Sequence, residues 1–302
     1  MRKYLKGLGW AFAGVAGLLI TFLLFAYFKS ETSRNEVVQL DVASIELPND
    51  QTSLQEGERQ AKVRGCYHCH GENLAGAMIV DDPAIGYLGG PNITPGDGSV
   101  VKDYKTEDWI RAIRFAVTPA GRKLHLMPAP DFAYMTNEEM GFLIAFLKTL
   151  KPVNKENPQS HPGPLARVLY ATGQMPNLFP YEEVRDKEIK PADKIAVENT
   201  PAYGKHLAQS CVGCHGEGFS GGKIPGVPPD WPRASNLTPS GDFVNYTLMD
   251  FVRVIKTGTK MTNQKIDPMY MPWNSMTAMT DLEIEAVFSY LKTLEPKPAG
   301  TR

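Results

Sequence analysis

The chain contains one unit twice. "CYHCHGE" at Cys66 to Glu72 returns as "CVGCHGE" at Cys211 to Glu217, 145 residues later, and the two stretches hold all four cysteines of the 302-residue sequence. "PNITPGDG" from Pro91 matches "SNLTPSGD" from Ser235, and "DWIRAIR" from Asp108 matches "DFVRVIK" from Asp250. "LMPAPDFAYMTNEEMGFLIAFLKTLKP" from Leu126 matches "YMPWNSMTAMTDLEIEAVFSYLKTLEP" from Tyr270 without a gap. Four blocks in one order, with length changes only between them, describe a duplicated domain. The period is too long for a solenoid repeat, so each copy must bury a core of its own. The expected division is an anchor at 1–30, a first domain at 50–152, a linker or strap at 153–197 and a second domain at 198–296.

Within each copy the spacing is helical. Trp109, Ile110, Ile113 and Val117 follow one apolar face, begun by Thr106 or Asp108, and Phe251, Val252 and Ile255 follow its counterpart after Thr247. Thr136-Asn-Glu-Glu and Thr280-Asp-Leu-Glu are capping boxes. They open final helices whose buried faces are Met140, Leu143, Ile144 and Leu147 in one copy and Ile284, Val287, Phe288 and Leu291 in the other. No segment alternates in the manner of a strand, so the expected fold class is all-α. The Pro-, Asn- and Lys-rich connection has one helical turn at "LARVLY" and one solvated loop histidine, His161.

Leu8 to Phe28 is 21 residues without a charge, enough to cross a bilayer as a helix. The apolar region of a cleaved signal is shorter and ends in a small-x-small site, which Ala-Tyr-Phe-Lys-Ser at 26–30 does not supply. The expectation is therefore an uncleaved single-pass anchor. Arg2, Lys3 and Lys6 before the span keep the N-terminus cytoplasmic and put the remainder outside. With a formal net charge of −1 and no basic face, the chain has no nucleic-acid partner to offer.

Three chemistries compete for C-x-x-C. A redox dithiol needs a thioredoxin-like βαβ setting, absent from a helical unit. A four-cysteine zinc site would join domains far apart in the chain and leave His70 and His215 idle. Both motifs continue as C-x-x-C-H, the attachment signature of c-type haem, in which two thiols form thioethers and the next histidine ligates the iron. Cys66, Cys69 and His70 are then one haem site, and Cys211, Cys214 and His215 the second: two covalently attached haems.

A second axial ligand should occur in register in both copies. Met127-Pro128 aligns with Met271-Pro272, in a proline-bearing loop before the last helix. Met135 and Met279 also align, but each precedes a capping threonine, where packing is the simpler purpose. His125 remains the alternative in the first domain; His68 reads as a surface residue, and His206 has no certain counterpart. Asn92 and Asn236, in their N-[IL]-T-P loops, are candidates to brace the haem-side loop or simply to cap a turn.

With these residues in place, both halves resemble class I cytochrome c domains. The N-[IL]-T-P loop, the Met-Pro loop and the "FLKTL" or "YLKTL" ending are similar to the membrane-associated cytochrome subunits of bacterial alcohol and sugar dehydrogenases. Those subunits usually carry three haem motifs where this chain has two. The resemblance implies haems held by His70 with Met127 and by His215 with Met271. It also implies electron transfer between a respiratory donor, a dehydrogenase or quinol-oxidising complex, and a terminal oxidase or soluble cytochrome. The setting is the outer, periplasmic face of a bacterial cytoplasmic membrane, alone or within a respiratory complex. The alternative is an enzyme: a dihaem peroxidase with one displaceable ligand.

Overall fold

The computed structural model describes residues 2–158 and 160–302. It is mostly helical, with two main cores and smaller buried clusters beneath the segment that joins them. The first unit is built on α2 (Gln51–Val63), α3 (Cys66–His70), α4 (Thr106–Phe115), α5 (Ala129–Ala133) and α6 (Asn137–Lys148). Its core joins Ile110, Ile113, Met140, Leu143 and Ile144, the faces expected from their spacing. Following the strap helices α7 (Pro164–Ala171) and α8 (Tyr181–Asp186), the second unit repeats the plan. It uses α9 (Pro201–Leu207), α10 (Gln209–His215), α11 (Leu248–Thr257), α12 (Trp273–Met276) and α13 (Asp281–Lys292). Its core joins Phe251, Ile255, Ile284, Val287 and Leu291.

The capping chemistry sets where the final helices begin. The Thr136 and Thr280 side chains accept from the Glu139 and Glu283 amides, and each glutamate accepts in return from the threonine amide at 2.8 Å. Two otherwise unpaired donors are satisfied at each helix start. Thr247 and Asp250 make the same box on α11, whereas α4 has Lys105 at the equivalent place and keeps only the half made by Asp108.

One expectation is corrected. The fold is not purely α: β1 (Ala75–Asp82), β2 (Gly86–Asn92) and β3 (His161–Pro162) form a three-stranded antiparallel sheet on the first unit. Asp82 Oδ1 accepts from the Ala84 and Ile85 amides and makes the turn between β1 and β2. The strands escape a periodicity reading because glycines occupy positions 76, 86, 89 and 90 and a register shift falls between Met78 and Val80. His161 is exposed, as expected, yet it lies in β3 opposite Tyr87 rather than in a loop.

α1 runs from Arg2 to Asn35, about 51 Å at 1.5 Å per residue. From Tyr4 it is long and apolar enough to cross a membrane, and its large side chains stand exposed instead of joining a core. The helix continues past the anchor boundary expected at residue 30, and these last turns are clamped by the strap. Arg167 pairs with Glu31 at 2.7 Å and donates to Ser30, while Ser33 donates to Glu182. Lys123, 5% exposed, closes the clamp with Glu36 at 2.6 Å and Glu182 at 3.1 Å.

In both units the helix before the haem motif crosses the final helix at a glycine. A Cβ on Gly57 would run into the backbone oxygen of Phe142, and one on Gly204 into that of Ala286. Only hydrogen at these positions allows the backbones to meet. Gly57→Ala and Gly204→Ala should each cost about 1–3 kcal/mol through overpacking. Chemical denaturation should show the loss in the transition of the altered unit.

Candidate haem sites

Each motif helix ends on a histidine whose ring is already oriented. His70 Nδ1 lies 2.8 Å from Pro91 O and His215 Nδ1 2.9 Å from Ser235 O. A carbonyl can only accept, so Nδ1 carries the proton and Nε2 keeps its lone pair. This is how a metal-binding histidine is held. Burial keeps both imidazoles below their ordinary pKa and so in the neutral, ligating form.

The carbonyls are themselves braced. Asn92 and Asn236, next in sequence, accept from the amide and hydroxyl of Thr94 and Thr238 at 2.9 and 2.8 Å. Their amide groups donate to Val153 O at 2.8 Å and Lys297 O at 2.9 Å, beyond the final helices. The asparagines thus both cap a turn and fix the loop. Leu74 and Phe219, fully buried at equivalent places, take left-handed backbone at φ 58° and 55° and accept from the Ile93 and Leu237 amides at 2.9 and 2.8 Å. An uncommon conformation for non-glycine residues, present in both copies, locks the motif to this loop.

None of the four cysteines is paired in a disulfide. Burial pushes the Cys66 and Cys211 thiols up to about 12 and raises those of Cys69 and Cys214 as well. A dithiol redox centre needs a thiolate, and this environment opposes one. Among the described residues no cluster of three or more His, Cys, Asp or Glu side chains is fit to hold a bare metal ion. A paired thiol followed by a histidine with a free Nε2, present twice, suits a porphyrin iron instead.

Met127 packs against the first core together with Cys66, and Met271 against the second together with Cys211. Met135, 1% exposed, is a core residue at the entry to α6, and Met279 packs against the second core. The His125 ring lies instead against Phe179 of the strap, centroids 5.2 Å apart. Its Nε2 is buried without a hydrogen-bond partner, and burial holds its imidazole down to about 4. Arg114, almost fully buried, donates to Met135 O at 2.9 Å, and Lys256 donates to Met279 O at 2.5 Å. Two cations at equivalent positions therefore fasten the end of each methionine loop to α4 or α11.

A cleft of about 550 Å³ between the units is lined by Gly65 and His68 of the first motif region, Cys211 of the second, and Pro128 and Pro272 beside the two methionines. Contacts across it are reciprocal. Arg59 of the first unit grips Glu283 of the second through two bonds of 2.7 Å, and His206 of the second meets Glu139 of the first at 2.9 and 3.0 Å. Likewise α12 sets Ser275 Oγ 3.3 Å from Nδ1 of His68, which is exposed as expected. Its counterpart α5 sets Asp131 beside Gly213. Burial, then the negative charge of Glu183, pushes the Asp131 carboxyl up to about 7 against the pull of Arg64. The repeat aligns Glu139 with Glu283 but could not show that each capping carboxylate also reaches the other unit.

Although burial alone would raise it, the Glu139 carboxyl is held down to about 2 by His206, Arg64 and the Thr136 amide. A lowered native pKa gives stability that is present above about 4.5, the ordinary value, and lost as the pH falls toward 2. Glu139→Gln should flatten that acid limb of the stability curve, measured as denaturation midpoints across this range.

The family model for cytochrome c matches residues 54–151 and 201–295. Among curated proteins, the gluconate 2-dehydrogenase cytochrome c subunit of Pantoea cypripedii is 33% identical over 130 residues, 40% of this chain and 29% of that protein. The cytochrome c subunit of alcohol dehydrogenase (quinone) from Gluconobacter oxydans (strain 621H) is 24% identical over 282 residues, 83% of this chain and 56% of that one. The fructose dehydrogenase cytochrome subunit of Gluconobacter japonicus is 24% identical over 279 residues, 81% and 53% of the two chains. The chain thus spans little more than half the length of the last two relatives, and less of the first.

Proposed function

The chain belongs to the cytochrome c family, and on that premise we propose that it is a membrane-anchored dihaem electron carrier and the electron-transfer subunit of a dehydrogenase complex. The observation that carries this reading is the pair of oriented histidines, each directly after a C-x-x-C pair and each with Nε2 left free among the described residues. Cys66 and Cys69 would hold one c-type haem and Cys211 and Cys214 the other. His70 with Met127, and His215 with Met271, would fill both axial positions. A haem so held supplies reversible one-electron chemistry at a positive potential, with no open position for a substrate.

The protein contributes the rest. The Asn92 and Asn236 loops fix the imidazole planes, Arg114 and Lys256 fix the ends of the methionine loops, and the interface ion pairs keep the two sites beside each other. Met127 is preferred to His125 because the His125 ring is packed against Phe179. The extents 50–152 and 198–296 are proposed as the two haem domains and 153–197 as the strap, with 1–30 as the anchor. Arg2, Lys3 and Lys6 before the span argue for a cytoplasmic N-terminus and haem units on the periplasmic face of a bacterial cytoplasmic membrane. That the relatives are cytochrome subunits of dehydrogenases supports a subunit working beside a dehydrogenase, and electrons would pass on to a respiratory acceptor such as an oxidase or soluble cytochrome.

The purified chain should contain two haems that survive denaturing electrophoresis, both low-spin, with the weak far-red sulfur-to-iron band. Met271→Ala should turn one haem high-spin and leave the other unchanged, and Met127→Ala should do the reverse. If neither spectrum changes, the axial assignment is wrong. A wild-type haem that is high-spin and reacts with peroxide would instead favour an enzyme. Stoichiometric recovery of a dehydrogenase from detergent-solubilised membranes tests the assignment as a subunit.

A further inference from the structure

The duplicated sites are alike in every proposed ligand, yet the cleft between them is not symmetric in charge. Asp131 stands on α5, four residues after Met127, and points across the interface to the second motif. A Cβ on Gly213, inside Cys211-Val-Gly-Cys214, would lie 3.7 Å from Asp131 Oδ1 and 3.8 Å from Oδ2. The carboxylate forms no hydrogen bond or ion pair among the described residues, and its negative charge reaches both thiols of the second motif. The equivalent residue of the second unit, Ser275, occupies the same place against the first motif. Its Oγ is 3.3 Å from His68 Nδ1 and 3.7 Å from a Cβ on Gly65. One site therefore receives a carboxylate from its neighbour, and the other receives a neutral hydroxyl.

Each motif also has a cation beside it, Arg64 acting on Cys66 and Arg302 acting against Asp131 at Cys214 and on His215, and the Asp131 carboxyl has no counterpart at the first motif. Arg64 and Glu183 flank Asp131 with opposite signs. Arg64 also acts on Cys66, and glutamine, at Gln209, stands at the aligned position before the second motif. Arg302 lies on the other side of the second motif, donating to Gly213 O at 3.0 Å and Cys214 O at 2.9 Å.

We infer that Asp131 is a positioning residue for electron transfer, holding the second haem at a lower potential through its charge, while the neutral Ser275 leaves the first haem without that charge. This rests on the dihaem reading. Reduction adds one electron to a ferric iron and lowers the positive charge of its site. A carboxylate within a screening length favours the oxidised form when it is ionised. Unequal sites then give the electron a preferred resting place although the ligand sets are duplicated.

The test is a potentiometric titration of the full chain in detergent, followed by its visible spectrum, at about pH 9, where the Asp131 carboxyl is ionised. Asp131→Asn should shift the oxidised-to-reduced ratio of one haem about tenfold toward reduced, a rise of about 59 mV for one electron. The other haem should move much less. Asp131→Glu should keep the wild-type pair of potentials, and Ser275→Asp should lower the haem that Asp131→Asn leaves alone. Unchanged potentials in Asp131→Asn and Ser275→Asp proteins that retain two low-spin haems overturn the inference and leave the dihaem reading standing. Movement of the same haem by both substitutions overturns it as well. Fewer than two covalent haems per chain would overturn the dihaem reading itself, and the inference with it.

Discussion

The bond from a motif histidine to a backbone carbonyl is the constraint around which each unit is arranged. An imidazole on a short helix would rotate freely, and a free ring presents either nitrogen. Pro91 O and Ser235 O remove that choice at 2.8 and 2.9 Å. A carbonyl in a loop is only as fixed as its loop, which explains the neighbouring bonds. Asn92 and Asn236 tie the loop to the chain beyond the final helix, and Leu74 and Phe219 accept left-handed backbone to plug it from below. The final helix is in turn fixed by its capping box and by the glycine crossing. Ligand orientation thus draws on residues far from the motif in sequence, and the same arrangement appears in both copies.

Joining two such units places buried charge between them. Glu283 is only 5% exposed, a position in which an unpaired carboxylate is costly. The structure gives it the Arg59 guanidinium, a planar fork that matches both carboxylate oxygens. At the equivalent contact Glu139 takes His206 and Arg64. Both glutamates already begin a helix, so one carboxylate caps its own unit and docks the other. Separating the units would break these paired contacts, so their geometry fixes how the two motifs sit relative to each other.

Much of this was legible from one sequence because duplication supplies an internal comparison. Cys66, Cys69 and His70 matched against Cys211, Cys214 and His215 point to the attachment chemistry, and the register of Met127 with Met271 proposes the sixth ligands. Capping boxes and apolar spacing located the final helices, since those signals are local. The sheet was missed because its pairing is a backbone property of a glycine-rich segment that the second unit lacks as strands. The extension of α1 to Asn35 was missed because Ser30, Ser33 and Glu36 look like any polar end until Lys123 and Glu182 arrive from elsewhere in the chain. Arg59 and His206 could not be chosen from the other exposed-looking polar residues for the same reason: their partners are in the other unit.

Duplication also leaves two copies of every surface, and the copies are covered differently. In the first unit Ala116, Ala129 and Ala133 are small enough to receive Val184 and Ile189 from the strap. The aligned residues of the second are Gly258, Trp273 and Thr277. Trp273 folds over Gly258 and donates through Nε1 to Ile266 O at 2.9 Å, so a single indole takes the space that a separate segment takes in the first unit. The first unit does not need such a residue, because α8 has a second task there: Glu182, on the same helix as Val184, holds Lys123 and Ser33 at the end of α1. A tryptophan at position 129 would cover the same surface but leave no seat for α8. Small residues in one copy and a large one in the other thus decide which unit is joined to α1 through the strap.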